Sequence, residues 1–153
     1  MRRAVTVKRA GSWTGLAAGT VTLPFEDRHR RRIRMTDDAG VDFLLDLADA
    51  VRLADGDALV LEQGGKIVVR AAMERVADLQ CGDPADALRL AWHIGNRHTP
   101  VQVLADGGLR IAYDHVLEAM ISGLGGRCDR VQAPFAPEPG AYADHGHARG
   151  HEH

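Results

Sequence analysis

The chain has 153 residues, 45% of them apolar and 26% charged, with a formal net charge of −2. That length suits one ordinary domain or two small ones, and the apolar content excludes global disorder. No run approaches the roughly 18 apolar residues of a membrane helix. Lys8 and Arg9 break any apolar stretch behind Arg2 and Arg3, so no signal peptide is expected. Two cysteines, Cys81 and Cys128, make no disulfide framework, and a reducing cytoplasm is the expected compartment. Eight histidines stand out, four of them in the last nine residues. Charge is uneven: residues 1–40 hold nine Lys/Arg against four Asp/Glu, and the remainder holds ten against seventeen. That asymmetry suggests two domains with different partners, or a basic half that docks an acidic surface.

The first half reads as strands. Residues 4–8 alternate apolar and polar, and 20–23 form a short β-branched run that Pro24 ends. Residues 30–36 and 41–47 alternate on either side of Asp37-Asp38-Ala39-Gly40, a hairpin signal. Turns at Asp55-Gly56-Asp57 and Gln63-Gly64-Gly65 set off strands at 58–62 and 66–71. Short strands at this spacing predict a small antiparallel β-sandwich or barrel over residues 1–72.

The second half changes period. A strand at 75–80 leads to Asp83-Pro84, a helix start with Asp as cap and Pro at the first helical position. Leu88, Ala91 and Ile94 mark the buried stripe of that helix, broadened by Ala87, Leu90 and Trp92, and Gly95-Asn96 is its expected stop. Strands at 101–104 and 109–113 flank Asp106-Gly107-Gly108. Asp114 caps a second helix with Val116, Leu117, Met120 and Leu124 on one face, ended by Gly125-Gly126. A last strand covers 127–133. The order β-α-β-β-α-β is the ferredoxin-like arrangement, placed over residues 73–142. The fold class is therefore α+β. Residues 143–153, ending HGHARGHEH, have no apolar content to offset ordering entropy and are expected to be a disordered His-rich tail.

Candidate chemistry lies with histidine. His145, His147, His151 and His153 form two His-x-His pairs, and neutral imidazole suits Ni, Zn, Cu and Fe. His98 follows the first helix of the second half in GNRHTP, where Pro100 keeps the chain extended. By spacing alone it is a solvated surface residue or a ligand. His93 lies inside that helix, with an interface or capping role as its plain reading. His115 opens the second helix, as a first-turn polar residue or a further ligand. Cys81 and Cys128 read as small core residues that could approach each other in the sheet. Arg28, Arg30, Arg32 and Arg34 are spaced to share one strand face. That face is solvated or docks an acidic partner; aromatic residues for stacking nucleic acid are scarce. Glycine-loop, G-x-S-x-G and H-E-x-x-H signatures are missing from the sequence.

Three stretches together resemble one family: WHIGNRHTPVQ (92–102), YDHVLEAMISGLG (113–125) and APFAPEPGAYADHGH (133–147). The chain is similar along its whole length to UreE, the urease accessory nickel chaperones. The resemblance implies a chaperone-like N-terminal β domain and a ferredoxin-like metal-binding domain that pairs as a homodimer. It implies that His98 and its symmetry mate hold one Ni²⁺ between them, and that the tail histidines complete or feed that site. It implies work beside a GTPase and other accessory proteins to load apo-urease in the cytoplasm, without nucleic acid or membrane, and without being an enzyme. Some members carry a His-x-His pair where this chain has Tyr113-Asp114-His115, which leaves His115 the lesser candidate. By ligand type the site also accepts Zn²⁺ or Cu²⁺. Two other readings remain: a metal-dependent enzyme using His98 and His115 with Asp114 or Glu118, and a peptide-binding scaffold whose tail is incidental.

Overall fold

A computed structural model describes residues 1–140. The chain divides into two compact units, Met1–Ala72 and Met73–His153. Among the described residues, no helix is long and apolar enough to cross a membrane.

The first unit is one six-stranded sheet: β1 (Arg2–Lys8), β2 (Gly19–Leu23), β3 (His29–Thr36), β4 (Asp42–Arg52), β5 (Ala58–Leu61) and β6 (Lys66–Ala71). Their spatial order is β2-β6-β5-β1-β4-β3. The expected strands are present, but the sheet is not wholly antiparallel. β1 runs parallel to β4 and β2 parallel to β6. Strand alternation is blind to this, because a half-buried strand alternates in either direction. Phe43, Leu45, Leu59, Ile67 and Val69 are fully buried at the centre of the apolar core.

Carboxylates organise the turns. Asp37 accepts the N–H groups of Ala39 and Val41 across the β3–β4 turn and pairs with Arg2 at 2.8 Å. Asp38 accepts from the Thr20 and Thr22 hydroxyls on β2, the opposite edge of the sheet. That tie holds the sheet curled into a half-barrel. Asp57, 1% exposed, accepts the N–H groups of Ala10 and Ala54 and a 2.8 Å contact from Arg9.

The arginine run does not form the shared face that its spacing suggests. Arg28 precedes β3 and is buried, donating to the Leu23 carbonyl. A register shift between Arg30 and Arg32 then breaks the two-residue alternation. Arg30 pairs with Asp27 and Arg34 with Asp42, while Arg32 lies 3.8 Å from Asp46. β3 is an edge strand, and charges with a bulge protect such an edge from pairing with another chain.

The second unit has β7 (Met73–Gln80), α1 (Pro84–Asn96), β8 (Gln102–Val103), β9 (Leu109–Ala112), α2 (His115–Gly123) and β10 (Arg127–Pro134). The sheet order β10-β7-β9-β8, antiparallel throughout, is the ferredoxin-like one expected. Ala77, Leu79, Leu109 and Ile111 on the sheet meet Leu90 and Ile94 of α1 and Leu117 and Ile121 of α2. The helix faces are rotated from those the sequence suggests. Leu88 is 73% exposed and Val116 58% exposed, where both were expected in the buried stripes. Each helix carries more apolar residues than one stripe holds, and only the position of the sheet selects the stripe.

Two stability outcomes follow. Asp57→Ala removes a buried carboxylate that accepts two backbone N–H groups, those of Ala10 and Ala54, and chemical denaturation should show a loss of about 1–3 kcal/mol. Hydrogen bonds from Arg2, Thr20, Arg34 and Arg3 hold Asp37, Asp38, Asp42 and Asp46 below the ordinary carboxylate range. Depressed folded values favour folding above the ordinary value near about 4, and that contribution is lost as pH falls through them. Circular dichroism should therefore show flat stability near neutrality and a fall below about pH 4. A chain with Asp38→Asn should show a shallower fall.

Candidate metal centre

The site begins with how α1 starts and stops. Asp83 accepts the Ala85 N–H, and Pro84 occupies the first turn. At the other end the last carbonyls need donors. Arg97 closes the helix; the His98 N–H then donates to Gly95 O at 3.0 Å and the Thr99 N–H to Ile94 O at 3.3 Å. This is the Schellman ending, in which one residue adopts the left-handed conformation. That residue is His98, at φ 59°. α1 ends at Asn96, at the expected Gly95-Asn96 stop, and the left-handed residue follows two positions later.

α2 makes the same ending with the customary residue. Gly125, at φ 83°, donates to Ser122 O, and the Gly126 N–H donates to Ile121 O. Among the described residues, His98 alone takes positive φ without being glycine. A side chain there costs about 1 kcal/mol relative to glycine. The conformation points the chain toward Pro100 and β8 and leaves His98 exposed.

The other histidines are scattered. His93 sits half-buried in α1, its ring edge-to-face with Trp92 at 5.0 Å. His115 opens α2, whose cap is the Asp114 carboxylate accepting from Val116 and Leu117. Two residues before His115, the Tyr113 ring carries the guanidinium groups of Arg75 and Arg130 at 5.0 and 4.8 Å from its centre. Tyr113, with a cation against its ring from each of two arginines, thus occupies the place where the other ligand of a His-x-His pair would stand. His29 begins β3, in the first unit. His145, His147, His151 and His153 lie outside the described residues. Among those described, no three His, Cys, Asp or Glu side chains gather as a metal site.

Cys81 and Cys128 do not pair. Cys128 stands opposite Leu79, two residues out of register with Cys81, and both thiols are free. Burial, with nearby carboxylates, pushes both thiols up, away from the thiolate a metal requires.

Two further features of this unit are not visible in the sequence. The face of α1 turned from the core presents Leu88 and Trp92, one helical turn apart and 73% and 63% exposed. The segment after β10 returns to β8: the Ala136 N–H donates to Gln102 Oε1 at 2.9 Å and the Glu138 N–H to Val101 O at 2.8 Å. Residues 136–138 therefore lie against the strand that follows His98.

A ferredoxin-like unit with an exposed imidazole at a helix end and a curled β unit make up a two-unit α+β protein. Comparison with known proteins gives the family. The model described as UreE urease accessory protein, N-terminal domain, matches residues 4–72, and its C-terminal counterpart matches residues 74–153. The urease accessory protein UreE of a Bradyrhizobium species is 52% identical over 152 residues, 99% of this chain and 73% of that one. Those of Beijerinckia indica and Rhodobacter capsulatus are each 46% identical over 153 residues, covering 87% and 94% of the relative. The chain belongs to the UreE family of urease accessory proteins. Its role is in urease maturation, as an accessory protein and not as an enzyme.

The left-handed backbone at residue 98 can be isolated by a pair of variants. His98→Gly and His98→Ala both remove the imidazole, but only glycine relieves the conformation. Denaturant unfolding should find the glycine variant more stable than the alanine variant by about 1 kcal/mol. Equal stability would mean that residue 98 is not held in the left-handed region.

Proposed function

We propose that this protein is a nickel metallochaperone that carries Ni²⁺ to the urease metallocentre. The observation that carries this reading is His98, an exposed imidazole kept where glycine would be the easier residue. Local strain retained at one exposed side chain is characteristic of functional positions. Imidazole is a good ligand for Ni²⁺, Zn²⁺ and Cu²⁺, and the affinity order favours Cu²⁺, so nickel selectivity falls to supply and partner.

One described chain brings a single histidine to this place, so further ligands come from elsewhere. A two-fold axis beside α1 would supply a second His98 from an identical surface. The exposed Leu88–Trp92 pair on the same helix supports that homodimer, because an apolar strip beside a polar end suits a self-complementary contact. His145, His147, His151 and His153 then serve as exchangeable ligands. His115 is the weakest candidate, since Arg75 and Arg130 flank Tyr113. Ligands that a receiving protein can displace one at a time suit a carrier better than a rigid four-ligand cage. The partners in this reading are a second copy, the urease accessory GTPase and apo-urease, in the cytoplasm.

Calorimetry tests this directly. His98→Ala should weaken Ni²⁺ binding by tenfold or more, and replacing the four tail histidines with alanine should lower the stoichiometry or affinity further. Unchanged binding in both would sink the reading. Protons compete for imidazole, so the affinity should fall as pH drops through about 6.5. Light scattering should give a dimer mass.

A further inference from the structure

Each of the two sheets has two edges, and among the described residues three of the four are protected. On β2 the Thr20 carbonyl receives the Asp38 N–H, and the Thr22 N–H donates to Asp38 Oδ1. β3 carries charges and a bulge. β8 is covered by residues 134–138, which cross the second sheet from β10 as a strap. Arg110 donates its Nη1 to the Pro134 carbonyl, Gln102 accepts the Ala136 N–H, and Glu138 bonds Val101 and Val103. The fourth edge is β10. It pairs with β7 at all eight of its positions without a register shift. Half of the residues of an antiparallel edge strand point N–H and C=O away from their neighbour. Among the described residues, no group bonds those of residues 127–133.

A recess of about 160 Å³ lies beside this edge, lined by Arg75, Val76, Tyr113, Arg130, Val131 and Gln132. Arg130 and Gln132 stand opposite Ala77 and Arg75. By the two-residue alternation, the three polar side chains share the helix-facing side with Ala77. Both guanidinium groups lie against the Tyr113 ring. Their charges are answered unequally. Arg130 pairs with Glu118 at 2.7 Å, and at the start of the strand Arg127 pairs with Asp129 at 3.2 Å. Arg75 is exposed, and among the described residues no carboxylate pairs with it. An exposed guanidinium that a ring holds in place, without an acid of its own, is preorganised for a carboxylate.

We infer that the outer edge of β10 takes an extended acidic segment of a partner protein as an added strand, with one of its carboxylates on Arg75. The open backbone supplies hydrogen bonds whatever the sequence of that segment, and the cation sets its chemistry. Two strand spacings, about 10 Å, separate β7 from an added strand. An arginine and a glutamate side chain close that gap between them. The same arginines oppose a basic segment. A second copy of this chain is the poorer occupant, because Arg127, Asp129, Arg130 and Pro134 are the kind of residues that keep identical edges apart. The inference is independent of the Ni²⁺ site.

The probe is a peptide of alternating Glu and Thr, blocked at both ends and matched to β10 in length, added to the full chain. Binding and amide hydrogen exchange are followed by NMR. The outward amides of residues 127–133 should exchange freely in the protein alone, and saturating peptide should slow them by about tenfold or more. Exposed ion pairs contribute at most about fivefold each, so Arg75→Ala should weaken binding by about two- to fivefold. Exchanging every peptide glutamate for glutamine should weaken it by at least about fivefold, since several such contacts are lost. A peptide with methylated backbone nitrogens should lose binding. Outward amides already protected in the protein alone would mean that another copy covers the edge, and would overturn the inference. So would binding that survives backbone methylation, an affinity indifferent to the loss of the glutamates or of Arg75, or exchange that millimolar peptide does not slow. The glutamine and methylated peptides are measured on the wild-type chain, so they decide the matter even where Arg75→Ala does not fold.

Discussion

The end of α1 is the constraint on which the second unit turns. Helix carbonyls near a C-terminus must find donors, and here they find them only if one residue turns left-handed. That turn sends the chain into β8 and leaves the His98 side chain outside. α2 solves the same problem with Gly125. Two identical endings with different residues separate what the backbone needs from what the surface presents. The backbone needs only a residue that tolerates positive φ, and the imidazole is additional.

β8 is the second consequence. It is two residues long and lies at the edge of its sheet, with little ladder of its own. The strap supplies what is missing, since Glu138 bonds Val101 and Val103 while Gln102 receives the Ala136 N–H. One set of bonds thus covers an exposed edge and holds residues 136–138 against β8. The Asp78–Arg110 pair beneath it, largely shielded from solvent on both sides, aims the guanidinium at Pro134.

In the first unit, charge mainly serves the fold. Asp37, Asp38 and Asp57 replace missing backbone partners in tight turns, and arginines answer several of the carboxylates. The basic run near residue 30 looked like a binding stripe because charges were counted without their partners. Arg28 turned inward and a bulge broke the alternation. The acids that neutralise Arg32 and Arg34 come from β4, the neighbouring strand.

The sequence by itself determined the strands, because alternation records one buried face whatever the neighbours are. It determined both helix starts, because Asp83 and Asp114 cap locally. It also carried the family resemblance, because the motifs are contiguous. The tertiary structure decided strand direction, helix face and proximity. Parallel pairing of β1 with β4, the exposure of Leu88 and Val116, and the crossing of the strap all depend on residues distant in the chain. The left-handed turn at His98 belongs with these. Glycine is the usual signal for that conformation, but the one glycine of α1, Gly95, lies within the last turn, and the left-handed residue is His98, where the closing bonds to Ile94 and Gly95 form.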